Sequence, residues 1–214
     1  MYILDIETKP DDNLRHLAVI KADARLKDPE KIAADIAEKT ASADKGLACD
    51  SDFNRIVCVG VKVIGQPAHA FTFEEYVKWL KKPINPKEKK MRVPSQASLN
   101  GGMRMITFNG RNFDLPTIIK YGIKTGADLP YGVFLQALDK YKGNNHIDLM
   151  EKLSLVWGSH KSLDLYMQIY LGIEKKTKGE EFFRTATDED LKTHCLEDLE
   201  YTEQLFKKFE KLFI

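Results

Sequence analysis

At 214 residues the chain fits one domain of ordinary size, or one domain carrying a sizeable insertion, and it is long enough to bury a core. A composition that is 43% hydrophobic, 10% aromatic and 30% charged is that of a globular chain and excludes a disordered or fibrous one. With 33 basic and 32 acidic residues the formal charge is +1, which excludes the overall basic footprint of a tight, non-specific duplex binder, so any nucleic-acid partner has to be argued from motifs.

The first element is an apolar strand over residues 2–7, "YILDIE", with Asp5 and Glu7 inside it. Residues i and i+2 of a strand point to one face. Asp5 and Glu7 therefore share a face, and Leu4, Ile6 and Thr8 belong to the other. Two like charges so placed repel each other and are costly to desolvate unless a cation or several donors compensate them. Hard oxygen ligands of this kind suit Mg²⁺ or Mn²⁺, and the lack of a His/Cys ligand cluster argues against zinc. The plain alternative is an edge strand whose acidic face is solvated.

Residues 11–52, including "KIAADIAEKTASADKG", predict helices inserted between the first two strands. A second strand follows over 55–64, a short third from His69, and one or two helical turns in "EEYVKWL", with Trp79 in the core. Residues 81–102 hold a lysine cluster among Pro, Gly and Ser and predict a loop, solvated on the plain reading and able to track a phosphate backbone on the other. "MRMITFNG" from Met103 is a fourth strand ending in a turn.

The stretch "ITFNGRNFDLP" sets Asp114 at a helix entry after the Asn109-Gly110 turn, at the edge of the sheet. Asn109, Arg111 and Asn112 offer amide and guanidinium donors around it, and Phe113 offers a ring; a turn followed by an Asp cap is the plain alternative. "HIDLMEKLSLVW" and "SLDLYMQIYLG" carry apolar residues at helical spacing, the second closed by Gly172. Asp148 reads as a local cap or pair and stays outside any metal set. His160 and Lys161 precede a helix and can grip a phosphate or simply mark a capped start, and Trp157 reads as core. His16 and His69 have no spacing to a ligand set.

The last helix is the clearest. Thr187 is its N-cap, Asp188, Glu189 and Asp190 complement the helix dipole, and Leu191, Cys195, Leu199, Thr202, Phe206 and Phe209 form its apolar stripe. His194 and Asp198, four apart, share a neighbouring face. By themselves they make an ordinary surface pair.

Three cysteines without a C-x-x-C pair argue against a disulfide framework or a zinc site. With no charged-then-apolar leader and no run near the ~18 apolar residues of a membrane span, the expectation is a cytoplasmic protein without a membrane partner. Strands first and helices after predict a single α/β domain over 1–214, a mixed sheet flanked by helices.

Taken together, Asp-x-Glu on the first strand, "FNGRNFDLP" after a later strand, "HIDLM" and "HCLEDLEYT" on the last helix resemble the DEDD superfamily of 3'-to-5' exonucleases, which have a ribonuclease H-like fold. Within it the chain is most similar to the proofreading exonuclease domain of family B DNA polymerases and its free-standing relatives. The resemblance runs in order from Asp5 to the last helix.

It implies that Asp5, Glu7 and Asp198 hold a metal that activates water, that Asp5 bridges to a second metal, and that Asp114 holds that one directly or through water. It implies two divalent ions, Mg²⁺ or Mn²⁺, release of nucleoside 5'-monophosphates from single-stranded or frayed 3' ends of DNA, and contacts to the terminal nucleotide from Thr8, Asn109, Arg111, Asn112 and Phe113. In one subclass a Tyr stands four residues before the last Asp, and in another a His stands five before. Here His194 occupies the tyrosine position, Thr193 the other, and His194 is the expected general base. The alternatives are trimming of RNA 3' ends and a non-catalytic nucleic-acid-binding module.

Overall fold

Five strands form one mixed sheet: β1 (Tyr2–Pro10), β2 (Asn54–Val63), β3 (Ala68–Phe71), β4 (Met105–Thr107) and β5 (His146–Asp148), in the order β3-β2-β1-β4-β5. Strand β2 is antiparallel to β1 and β3, β4 is parallel to β1, and β5 is parallel to β4. The helices are α1 (Pro29–Cys49), α2 (Phe73–Lys81), α3 (Asp114–Thr125), α4 (Tyr131–Leu138), α5 (Leu149–Leu153), α6 (Leu163–Leu171), α7 (Glu180–Thr185) and α8 (Asp188–Phe209). This computed structural model describes residues 1–18, 20–81, 104–140, 145–154, 159–175 and 180–213. The lysine-rich loop after Lys81 and Trp157 lie outside the described residues.

A central strand is covered on both faces, which is why β1 is apolar in both phases of its alternation. Tyr2, Leu4 and Ile6 enter one core with Phe73 and Tyr76 of α2, Leu115 and Ile118 of α3 and Phe134 of α4. Ile3 enters the other core with Ile106, Met167 of α6, and Leu199 and Phe206 of α8. The strand period carries Asp5 and Glu7 onto the Ile3 face, toward α8. A bulge between Glu7 and Thr8 then breaks the alternation.

Helix α8 starts in a capping box: the Thr187 hydroxyl accepts from the Asp190 N–H at 3.2 Å, and the Thr187 N–H donates to the Asp190 carboxylate at 2.9 Å. Its buried face carries Leu191, Cys195, Leu199, Thr202 and Phe206, as the apolar stripe predicts, with Phe209 only half-buried. The helix comes closest to the sheet at Gly60, the β2 residue opposite Asp5. A Cβ there would lie 2.4 Å from Cys195 Sγ and 2.9 Å from Leu199 Cδ1. Two residues on, buried Lys62 ion-pairs with Glu200 at 2.6 Å and Glu203 at 3.1 Å, and Glu203 also accepts the Gly65 N–H at 2.7 Å.

The helical reading of "HIDLM" is corrected: His146–Asp148 is strand β5, paired with β4, and the helix begins only at Leu149. Three residues contain too little period to separate strand from helix, and tertiary pairing with β4 decides. The insertion after β1 is helical as expected, consisting of a 3₁₀ turn at Arg15–Leu17 and α1. Trp79 is buried against Phe71 and Tyr76. Among the described residues no helix is long and apolar enough to cross a membrane.

Candidate active site

Strand β4 is short, so its pairing with β1 stops at Ile3–Ile106, and the next β1 amide on that side needs another acceptor. Asp114 supplies it. Its Oδ1 accepts the Ile6 N–H at 3.0 Å, which sets this carboxylate, buried at the start of α3, against the strand that carries Asp5 and Glu7.

The segment before Asp114 is held by Asp148. One Asp148 carboxylate accepts the N–H groups of Asn109 (3.0 Å), Arg111 (3.0 Å) and Met150 (3.1 Å), clamping the turn while capping α5. Asn109 adopts the left-handed conformation, φ 65°, which Asn tolerates better than most residues. His146 braces the same turn. Its Nδ1–H donates to the Ala137 carbonyl at 2.8 Å, so its Nε2 accepts from the Thr107 hydroxyl at 2.9 Å, and that hydroxyl in turn accepts the Gly110 N–H at 3.2 Å. Burial, opposed by the bond to Ala137, pushes the imidazole down to about 4, in keeping with a neutral ring.

From the other side, α8 presents His194 and Asp198. His194 Nδ1 lies 2.7 Å from Glu7 Oε1, with its ring packed against Phe182 (5.5 Å) and Phe183 (5.1 Å). Burial works to lower the His194 pKa, but the bond to Glu7 and the charges of Asp198 and Glu7 outweigh it, and the ring stands above its ordinary value. Glu7 is raised as well: burial lifts it, and His194 offsets only part of that. Asp198 is taken by Lys175, whose Nζ lies 2.6 Å and 2.7 Å from its two oxygens.

Asp5 sits among these groups. Burial first, then the charges of Asp114, Glu7 and Asp198, push its carboxyl well above the usual range. Its Oδ2 is shielded from solvent and has no hydrogen-bond partner among the described residues. Asp5 and Asp198 also line a cleft of about 340 Å³, whose other walls include Phe108, Asn109, His160 and Lys161.

No protein-family model matches this chain, and no curated protein matches it.

The four expected acids thus gather about the middle of β1, linked through Ile6 and through mutual electrostatic coupling. Among the described residues no three His, Cys, Asp or Glu side chains form a ready-made ligand group. Asp198 is held by Lys175, Glu7 by His194 and Asp114 by a backbone amide. The donor chemistry still fits hard divalent cations, since Asp5 carries a buried oxygen with no donor among the described residues and a carboxyl that its neighbours drive toward protonation.

Of the expected nucleotide contacts, Asn109 alone lines the cleft. The Thr8 hydroxyl donates to the Ala48 carbonyl at 2.7 Å. Arg111 turns inward to Glu151 (3.1 Å) and to the carbonyls of Ala137 (3.0 Å) and Leu138 (2.7 Å). Asn112 is exposed and donates to Asn109 Oδ1 at 3.1 Å, while Phe113 packs on the first core. Sequence reasoning missed Lys175, which follows the Gly172 cap of α6, and the Phe182–Phe183 pair. Neither has a spacing that ties it to the acids, because folding alone supplies the partner.

Proposed function

We propose that the protein is a metal-dependent 3'-to-5' exonuclease with a ribonuclease H-like fold, acting on DNA ends. The observation that carries this reading is the gathering of Asp5, Glu7, Asp114 and Asp198 about the middle of the central strand, with a buried Asp5 oxygen that has no hydrogen-bond partner among the described residues. The five-stranded mixed sheet flanked by helices is compatible with the fold.

In this reading Asp5, Glu7 and Asp198 hold one divalent ion, and Asp5 with Asp114 a second. When bound, such a pair stabilises the attacking and leaving oxygens of an in-line phosphoryl displacement and makes water more acidic. The chain's own residues do the rest. Asn109 and Phe108 form the lip and apolar wall of the cleft where a terminal nucleotide rests. His194, donating through Nδ1 to Glu7, keeps Nε2 available to accept a proton from water. Lys175 is a resident counter-cation to Asp198, and His194 holds Glu7 by a hydrogen bond, which keeps these acids compatible with burial.

The raised His194 pKa predicts that kcat/KM climbs with pH through a point above the ordinary histidine value, and that His194→Ala loses this limb. A His194→Ala enzyme matching the parent between about pH 6 and 8 would remove the residue from the mechanism.

The deciding assay uses 5'-labelled and 3'-labelled DNA and RNA oligonucleotides with Mg²⁺ or Mn²⁺, and Asp5→Ala as control. The expected result is stepwise shortening of 5'-labelled DNA and release of mononucleotide from the 3' label, both absent in the variant. The RNA arm decides the ribonuclease alternative. A non-catalytic nucleic-acid-binding module is the second reading, favoured by the pairing of Lys175 with Asp198 and of His194 with Glu7, which neutralises the acids without metal. Binding without shortening under every condition would establish that one instead.

A further inference from the structure

The cleft lined by Asp5 and Asp198 also carries basic groups. His160 and Lys161 lie just before α6, and both line the cleft together with Asp5 and Asp198. His160 is not a loose surface ring. The Ser154 hydroxyl donates to the Met150 carbonyl at 2.6 Å, so it receives the Nδ1–H of His160 at 2.8 Å. This fixes the ring on the end of α5 and leaves Nε2 for whatever enters the cleft, a donor to an anion when the ring is protonated. Lys161 is exposed and has no ion-pair partner among the described residues, although paired lysines are common elsewhere in the fold.

We propose that His160 and Lys161 bind the phosphodiester backbone of the substrate strand and hold it in the cleft they share with Asp5 and Asp198. This rests on the exonuclease reading and adds to it a pair of positioning residues. Three observations point the same way. The cleft carries both acids and basic groups, which matches a polyanion whose reacting phosphate needs metal and whose remaining phosphates need cations. Asp5, whose Oδ2 has no hydrogen-bond partner among the described residues, belongs to the same lining. The basic pair is attached to the same scaffold that fixes the Asn109 lip, because Asp148 caps α5 and clamps Asn109 while His160 is tied to α5 through Ser154 and Met150. Lip and basic pair therefore keep their spacing as one body.

The test measures binding and turnover separately in parent, His160→Ala and Lys161→Ala. Binding of a fluorescent single-stranded DNA oligonucleotide is followed by anisotropy in EDTA, at several salt concentrations. A backbone contact predicts that Lys161→Ala weakens binding several-fold and lowers the slope of log K against log salt by about 0.7, the single-strand value for one phosphate neutralised. In the cleavage assay both variants should raise KM several-fold with kcat nearly unchanged, since the contact is made equally before and during the reaction. A parent that binds and cleaves, with variants indistinguishable from it in salt slope and KM, would overturn the proposal while leaving the exonuclease reading intact. A parent that neither binds nor cleaves overturns both.

Discussion

Asp5 shows what a binding site costs at a single residue. A carboxyl whose pKa is higher in the folded than in the unfolded chain makes the fold less stable as pH climbs from the ordinary carboxylate range through the folded value, because ionisation is then paid inside the protein. Near neutral pH, Asp5→Asn removes that charge with little change of shape. The expected outcome is a metal-free protein stabilised by about 1–2 kcal/mol, read in urea unfolding, together with absence of the Tm rise that the proposed metal site predicts for the parent with Mn²⁺. An equal or larger Mn²⁺ shift in the variant would show that Asp5 is no ligand. Asp5 and Glu7 were legible in the sequence because a period of two leaves no choice of face, and Asp114 because the Asn-Gly turn and the helix entry fix its position. Lys175 was not, since its partner lies 23 residues away on another element.

Among the elements, the position of α8 relative to β1 decides whether Asp198 meets Asp5 at all. Gly60 sets that distance, and two glycines give a controlled comparison. Gly60→Ala puts a methyl 2.4 Å from Cys195 Sγ, so the Cys195 and Leu199 side chains or the helix that carries them must shift. A loss of about 1–3 kcal/mol is expected, together with reduced exonuclease activity. Gly46→Ala, on α1 with nothing within 4 Å of the added atom, should be neutral or stabilising by up to about 1 kcal/mol and should leave activity alone. Equal stability effects from the two would mean that α8 does not rest on Gly60. The helix itself was readable from its Thr187 cap and apolar stripe, which are local signals. Strands β4 and β5 were harder, with three residues each, and β5 was misread because pairing with a distant strand and not local pattern makes "HID" extended.

For the whole molecule, acid sensitivity has an identifiable source in His146. A histidine held neutral, with its pKa lowered to about 4, contributes its full stability above the unfolded value near 6.5 and loses it as pH falls toward the folded value. The loss amounts to about 3 kcal/mol by pH 4. Buried Asp5, Asp114 and Glu7 act in the opposite direction, since their raised values favour protonation in the fold. The clean readout is therefore a difference between proteins: unfolding free energy measured from pH 7 to 4 should fall less steeply in His146→Asn than in the parent. Identical slopes would place the acid sensitivity elsewhere. The mixed sheet flanked by helices was legible in the order of strands and helices along the chain, but the strand order β3-β2-β1-β4-β5 was not. The inward turn of Arg111 does not, because its acceptors are carbonyls of α4, 26 and 27 residues away.

The Asn109-Gly110 turn has a consequence for chemical ageing. An Asn followed by Gly is the dipeptide most open to attack by the next backbone nitrogen on the side-chain amide, a reaction that ends in deamidation and a rearranged chain. Here that nitrogen is engaged with Thr107, the Asn109 amide oxygen holds Asn112, and the Asn109 backbone is pinned by Asp148. The clamp that shapes the lip of the cleft is thus also a preservative, and the working lifetime of the site is set by how often this turn opens.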